Sequence, residues 1–269
     1  MAGRASSLWI VATAVLIASA VVGDVARRAL RPAPVATAPT AGAAAVPPPE
    51  PAGGVSQSGS GPAPTPTPAP ESGVGYTEQV ARAEIRRRIR ASAGIAYLDA
   101  VMAASGDSML HRWDRRVIDA VRVYLGAGRP PTYRAEFGDA VRSAFRRWEG
   151  TGVPVRFTLL ADSGTAEVQI TWRIQFEIER TAQTDLTWDA EGHLESGAIT
   201  FALFDPQSRP MDADDIRVVA LHEIGHLIGL DHSPDSADIM FPVAKVRDLS
   251  DRDIQSALLL YDLPPGSIR

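Results

Sequence analysis

The amino-acid sequence predicts an α+β fold for residues 110–269, with a twisted mixed sheet, a helix that carries a histidine motif and a second helix at the C-terminus. Two observations support this prediction. Short apolar segments with strand-like alternation stand on either side of a helical pattern over residues 135–149. Three of the five histidines lie within residues 222–232, at a spacing that suits one helix followed by a turn.

Length and composition set broad limits on what the chain can be. Its 269 residues have room for one or two domains. The net charge of −5 is too small to indicate a nucleic-acid partner, so we expect none. The chain has no cysteine, which excludes disulfides and thiolate metal ligands. Nothing in the composition predicts an oligomeric state.

Residues 1–31 are predicted to direct export, as a signal peptide or a membrane anchor. After Arg4, the run from Leu8 to Gly23 is uncharged and mostly apolar. It is long enough for the core of a signal peptide and short for a membrane span. Two interpretations stay open: a membrane-anchored protein whose folded domain lies outside the cytoplasm, or a secreted protein.

Residues 32–75 are predicted to form a disordered linker. They contain 12 of the 21 prolines, together with alanine, glycine, serine and threonine. Such a composition buries no core and stays extended. In the polyproline form this segment would reach on the order of 100 Å. A long stalk suits a tethered domain, and we therefore favour the membrane anchor over secretion.

Residues 76–109 are predicted to form a helical segment before the main domain. Thr77 is a candidate N-cap for a helix over residues 77–104, since apolar residues recur behind it with partial helical periodicity. Five arginines between residues 82 and 90 predict a solvated basic face. Whether this segment inhibits the domain, docks on it or only spaces it is left open.

The main domain is predicted to contain strand, helix, strand, strand, hairpin, helix and helix, in that order. The strands are placed at 121–125, 153–160, 166–172, 186–188 and 194–204. In the helix over 135–149, the residues predicted to form one buried face are Phe137, Val141, Ala144, Phe145 and Trp148. The last helix begins after Ser250, which has capping-box spacing to Asp253. Pro264 and Pro265 are predicted to end the fold.

The histidine motif reads H-E-x-x-H-x-x-G-x-x-H. Residues four positions apart lie on one face of a helix, so His222 and His226 can direct two imidazoles at one point. Glu223 lies about 100° around the helix, where it can reach a metal-bound water without ligating the metal. Gly229 permits a positive φ and lets the chain turn back, so that His232 becomes a third ligand. Three histidines with one open position are typical of a catalytic zinc site, whereas structural sites usually have four protein ligands.

With Met240 following in Asp238-Ile239-Met240-Phe241-Pro242, the motif resembles that of the metzincin zinc metalloproteases. Ser233 after the third histidine and the short gap to Met240 are most similar to the matrixin branch, the matrix-metalloprotease type. The resemblance implies a zincin-like catalytic domain that hydrolyses peptide bonds with one catalytic Zn²⁺. His222, His226 and His232 would be the ligands, and Glu223 the general base. Met240 would form a hydrophobic floor under the metal.

The resemblance also implies where a peptide or protein substrate would bind. In the matrixin layout, as applied to this sequence, the last strand before the zinc helix forms an open edge of the sheet. We therefore expect Ala198, Ile199, Thr200 and Phe201 to lie on the substrate edge strand, where an extended peptide would pair with them.

The sequence departs from the matrixin pattern in several places. Matrixins carry a structural zinc and calcium sites before the hairpin, but this interval offers only His193. We therefore expect no structural zinc, and the sequence gives no support for calcium. His193 is interpreted as a turn residue, and His111 as a surface or packing residue. The propeptide cysteine that caps the zinc in matrixins has no counterpart here, because the chain lacks cysteine.

Two interpretations of function follow. The first is a zinc-dependent endopeptidase in which Glu223 takes a proton from the attacking water. The alternative is a catalytically silent zinc-binding domain that is tethered to the membrane and acts by interaction. The intact Glu223 favours the enzyme, since a binding site has no need of that carboxylate.

Overall fold

The computed structural model describes residues 75–104, 109–114, 116–126 and 129–269. The predicted signal or anchor segment 1–31, and the linker 32–75 except for its last residue, lie outside the described residues. Within the ranges that are described, no helix is both long enough and apolar enough to cross a membrane.

The described chain combines helices with a mixed sheet, which confirms the predicted fold class. The helices are α1 (Tyr76–Ala91), α2 (Leu98–Ala104), α3 (Ala135–Glu149), α4 (Ala213–Leu227) and α5 (Asp251–Asp262). The strands are β1 (Met109–Leu110), β2 (Arg116–Leu125), β3 (Val155–Leu160), β4 (Val168–Arg173), β5 (Ala182–Trp188), β6 (Leu194–Ala202) and β7 (Gly266–Ser267). Each predicted strand has a counterpart, although the first begins five residues earlier and the fourth begins four residues earlier than predicted.

Five of the strands form the central sheet, in the order β3–β2–β4–β6–β5. Strands β3, β2, β4 and β6 pair in parallel, whereas β5 pairs antiparallel with β6. Along β4, Val168, Ile170 and Trp172 are buried while Gln169 and Thr171 are exposed. This alternation is the period of two that predicted the strand.

The predicted substrate edge strand is wrong. Residues 198–201 belong to β6, which pairs with β4 on one side and with β5 on the other. Both backbone edges of β6 are therefore occupied, and Ile199 and Phe201 are fully buried. Among the strands that the structure describes, β5 is the outermost on this side of the sheet.

Helix α3 holds the zinc-motif helix α4 from the side. Its apolar face packs as predicted, with Val141, Phe145 and Trp148 all buried. The indole Nε1 of Trp148 donates a hydrogen bond of 2.8 Å to the carbonyl oxygen of Leu221 in α4. This bond fixes α4 one residue before the histidine motif begins.

The single helix predicted over residues 77–104 is wrong, because two helices, α1 and α2, occupy this stretch. The chain turns between them, where Gly94 adopts a φ of +87°. Ile85 and Ile89 of α1 and Tyr97 before α2 are buried in the same core cluster as the main domain. The segment therefore docks on the domain.

The basic face of α1 is only partly solvated. Arg82 donates a hydrogen bond of 2.6 Å to the backbone carbonyl oxygen of Arg269, and Arg86 donates one to that of Ile268. The prediction of a solvated face is thus wrong for these two arginines, since their guanidinium groups bind the C-terminal segment.

The fold continues beyond the two prolines that were predicted to end it. Strand β7 pairs antiparallel with β1, through Met109 with Ser267 and Leu110 with Gly266. Ile268 follows and is 1% exposed. The C-terminal residues are therefore part of the core and join the two ends of the described domain.

Candidate metal centre and active site

The N-terminus of α4 is fixed by a capping box. The Asp212 carboxylate accepts the backbone amide of Asp215 at 2.8 Å, and the Asp215 carboxylate accepts the amide of Asp212 at 3.4 Å. Asp212 is thus the N-cap, a choice that the sequence left open between Asp212 and Asp214. Asp214 instead forms ion pairs with Arg217 and Arg247. The cap sets where α4 begins and stabilises the helix that carries the histidines.

Gly229 ends α4 and returns the chain towards the histidines. The amide of Gly229 bonds to the carbonyl of His226, and the amide of Leu230 bonds to that of Gly225, both at 2.9 Å. These two bonds are the Schellman pattern. Gly229 has a φ of +102°, and a β-carbon added to it would overlap the backbone carbonyl oxygen of His111. Only glycine fits both conditions, as predicted for the turn.

The three histidines of the motif converge. Nε2 of His226 lies 3.1 Å from Nε2 of His222 and 3.2 Å from Nε2 of His232. Nδ1 of His222 lies 2.8 Å from the carbonyl oxygen of Ile239, and Nδ1 of His226 lies 2.8 Å from that of Leu230. A carbonyl oxygen only accepts, so both Nδ1 atoms carry a proton, and Nε2 is the nitrogen of each ring that is left to ligate a metal.

This donor set fits a tetrahedral metal ion. Lone pairs that face each other at about 3 Å repel unless a cation lies between them. Zinc–nitrogen bonds of about 2.0–2.1 Å at tetrahedral angles place the nitrogens about 3.3 Å apart, close to the separations found. The three ligand atoms lie within 4.8 Å of one another. His222, His226 and His232 can therefore bind one metal ion, with imidazole ligands that suit zinc.

The protonation states also favour a metal. Burial, with a further contribution from His226, lowers the pKa of His222 to about 3. Burial, followed by His226 and His222, lowers the pKa of His232 to about 2. Both rings are therefore neutral near pH 7, which is the form that ligates a metal.

Glu223 lies beside the histidines and is 6% exposed. Burial raises the pKa of its carboxyl group, while His226 and the hydrogen bond from Thr184 oppose that rise. The hydroxyl Oγ1 of Thr184, in β5, lies 2.6 Å from Oε2 of Glu223. One carboxylate oxygen of Glu223 is thus hydrogen-bonded to strand β5.

Met240 packs against the turn of α4 between the first two histidines. It is fully buried, and a β-carbon added at Gly225 would overlap its sulfur atom. The backbone carbonyl of Met240 accepts the amide of Ser233 at 2.8 Å, so the segment after the third histidine is tied to this methionine. Gly225 provides the space for this methionine, and the role of Met240 as a hydrophobic floor under a metal stays a prediction.

Sequence reasoning missed the carboxylates behind this turn. Oδ2 of Asp253 accepts the backbone amides of Ile239 and Ser250, both at 2.8 Å. Asp238 accepts the hydroxyls of Ser233 and Ser250. Asp253 was predicted only as a capping-box residue of α5. Its further role depends on the full burial of its side chain, which no local sequence pattern predicts.

The remaining histidines lie elsewhere, as predicted. His193 is in the turn between β5 and β6, where its Nδ1 lies 2.9 Å from the Asp189 carboxylate. The ring of His111 packs on Trp188 with centroids 4.3 Å apart. Among the described residues, only His222, His226 and His232 form a group of three or more potential ligands. The expected absence of a second zinc and of calcium stays a prediction.

The fold and the histidine site together are those of the metzincin class. The sequence profile of the matrixin family matches residues 113–262, which is more than half of the chain. The chain therefore belongs to the matrixin family, and metalloprotease activity is the property expected of a member of that family.

Two curated plant proteins are similar to the chain. Metalloendoproteinase 1-MMP of Arabidopsis thaliana is 29% identical over an alignment of 137 residues, and the match covers 46% of this chain and 37% of that protein. Metalloendoproteinase 1 of Glycine max is 37% identical over an alignment of 85 residues, and the match covers 30% of this chain and 24% of that protein. The chain thus matches well under half of the length of either relative.

Proposed function

We propose that this protein is a zinc-dependent endopeptidase. The observation that carries the proposal is the convergence of the three histidine Nε2 atoms beside the buried Glu223. The hydrogen bond from Thr184 offsets only part of the free energy that it costs to bury this carboxylate. A silent binding domain would not need it, and this favours the enzyme over the alternative of a tethered interaction domain.

The roles of the residues follow from their positions. His222, His226 and His232 would hold the ion in their neutral forms. When bound, zinc supplies a Lewis acid that lowers the pKa of a coordinated water to about 7 and stabilises negative charge on the substrate carbonyl. Glu223 takes the proton from the attacking water and then delivers it to the leaving amine nitrogen.

We propose β5 as the strand that binds substrate. Its outer edge pairs with no strand of the described part of the chain, and its residue Thr184 contacts Glu223 directly. A peptide that adds to this edge by main-chain hydrogen bonds would therefore run beside the general base. This replaces the earlier expectation that residues 198–201 bind the substrate.

We further propose that the domain acts outside the cytoplasm. Support comes from the sequence alone: the apolar run from Leu8 to Gly23 and the proline-rich stretch 32–75 favour a tethered domain over a secreted one. A cell-fractionation experiment with a protease-accessibility assay tests it. Full-length chain that is found only in the cytosol would contradict this proposal without affecting the enzyme assignment.

The enzyme assignment is tested with a fluorogenic peptide library, using the full chain with and without a zinc chelator. We expect cleavage that the chelator abolishes and zinc restores. Glu223→Gln should retain zinc and lose most of the turnover, since the amide cannot accept the proton. Glu191→Gln, at an exposed turn position, is the matched control and should cleave like the wild type. A zinc-loaded wild type that cleaves no peptide would favour the silent binding domain.

A further inference from the structure

Thr184 differs from the residues around it on the same face of β5. Ala182 on this face is 8% exposed, and Leu186 lies with Leu227 of α4 against Gly197 of β6. The face that β5 turns towards α4 is therefore apolar on both sides of Thr184. Valine would satisfy the same strand geometry, so the hydroxyl is the feature that needs an explanation.

The hydroxyl of Thr184 has one proton and two acceptors in reach. Oε2 of Glu223 lies at 2.6 Å and the backbone oxygen of Glu223 at 3.2 Å. That backbone oxygen lies inside α4, where the amide four residues later is its partner. The carboxylate oxygen is closer and charged, and hydrogen bonds to charged groups are the stronger kind. The proton therefore goes to Oε2.

The position of the hydroxyl is fixed. Thr184 is half-buried and lies in the uninterrupted part of the β5–β6 pairing, opposite the fully buried Ile199. The two branches of the threonine side chain restrict its χ1 angle. A donor held this firmly restricts the carboxylate that it binds, so one of the two Glu223 oxygens is held and the other is left for the reaction.

We propose that Thr184 is a positioning residue for Glu223: its hydroxyl holds Oε2 so that Oε1 is directed at the attacking water. This inference rests on the proposed function, since it assigns Glu223 the role of general base. Strand β5 then has two roles: its edge pairs with the peptide, and its residue Thr184 positions the general base. Binding of a peptide along β5 would therefore also restrain the strand that aligns Glu223.

Three variants of the full chain test this proposal. Thr184→Val keeps the shape of the side chain and removes the hydroxyl, whereas Thr184→Ser keeps the hydroxyl. Thr171→Val is the matched control, because Thr171 is exposed in β4 and its hydroxyl bonds to that of Thr200, at 2.8 Å, away from Glu223. Steady-state kinetics, zinc content and crystal structures are measured for each variant.

We expect Thr184→Val to lower kcat about tenfold or more, with KM and zinc content unchanged, because a hydrogen bond to a charged group is lost. Thr184→Ser should recover most of the lost turnover, and Thr171→Val should behave like the wild type. In crystals grown without metal, the Glu223 carboxylate should leave its position in Thr184→Val and keep it in Thr184→Ser. This structural readout does not depend on activity.

Wild-type kcat in Thr184→Val, or an unmoved Glu223 carboxylate in its crystals, would overturn the proposal. If Thr184→Val does not fold, Thr184→Ala compared with Thr184→Ser makes the same test. An inactive zinc-loaded wild type would instead contradict the proposed function, and the metal-free crystals would still test whether Thr184 holds Glu223.

Discussion

The hydroxyl of Tyr97 lies 3.2 Å from Oδ1 of Asp253, and both side chains are buried. Burial, together with the charge of Asp253, raises the pKa of Tyr97 well above its ordinary value, so the phenol keeps its proton and donates it. The Asp253 carboxylate accepts a hydrogen bond from the backbone amide of Ile239. The backbone carbonyl of Ile239 in turn accepts a hydrogen bond from Nδ1 of His222. Tyr97, which precedes the matched matrixin region, is thus connected through Asp253 and Ile239 to His222, a candidate metal ligand.

Replacing Tyr97 by phenylalanine should lower the free energy of unfolding by about 1–2 kcal/mol, because the buried Asp253 loses one of its hydrogen bonds. Urea denaturation of the full chain measures the change. Tyr76→Phe, at a position that is 80% exposed, is the matched control and should leave stability unchanged. Equal stability of Tyr97→Phe and the wild type would show that the contact contributes nothing.

Gly229 should tolerate alanine worse than Gly152 does. Both have a positive φ, +102° and +91°, so both variants pay about 1–2 kcal/mol for the left-handed conformation. Only at Gly229 does the new β-carbon also meet a backbone carbonyl, whereas nothing lies within 4 Å of it at Gly152. We therefore expect Gly229→Ala to be less stable than Gly152→Ala in thermal unfolding. Equal losses would mean that the His111 carbonyl does not constrain the turn.

Gly225 and Met240 should be energetically coupled. Alanine at 225 would raise helix propensity by about 1 kcal/mol, yet overpacking against the buried Met240 should cost about 1–3 kcal/mol. Met240→Ala alone should cost about 2–5 kcal/mol. In the double variant the methionine is gone, and the added methyl group then makes a close contact with Cζ2 of Trp148, at 3.3 Å, without overlap. A double-mutant cycle should therefore give a loss smaller than the sum, and strict additivity would argue against the contact.

The candidate metal site could be predicted from the sequence because its geometry is local. His222 and His226 are four residues apart and so lie on one face of a helix. Gly229 predicts the turn that brings His232 close to them. The apolar repeat of α3 likewise predicted its buried face, including Phe145 and Trp148. Such patterns depend on residues only a few positions apart, so they can be recognised in the sequence without knowledge of the fold.

The edge of the sheet depends on distant pairings, and the edge strand was predicted wrongly. Which strand lies at an edge is decided by the whole sheet, although two signals were present. Strand β5 carries Gln183, Thr184 and Asp185 in a row, which suits an exposed edge, whereas β6 carries the buried Ile199 and Phe201.

The contacts of residues 76–104 were also out of reach of local patterns. Tyr97 and Asp253 are 156 positions apart in the chain. No periodic pattern in the sequence predicts this contact. Arg86 likewise binds the backbone carbonyl of Ile268, which is 182 positions further along the chain.

Three imidazoles are expected to bind one metal ion, and the zinc content of natively purified protein, measured by mass spectrometry, tests this most directly. We predict one zinc per chain in the wild type and in Glu223→Gln. We predict none in His226→Ala, because that variant loses the ligand whose Nε2 lies beside both of the others. Wild-type protein that folds without zinc, or His226→Ala that retains it fully, would contradict the account.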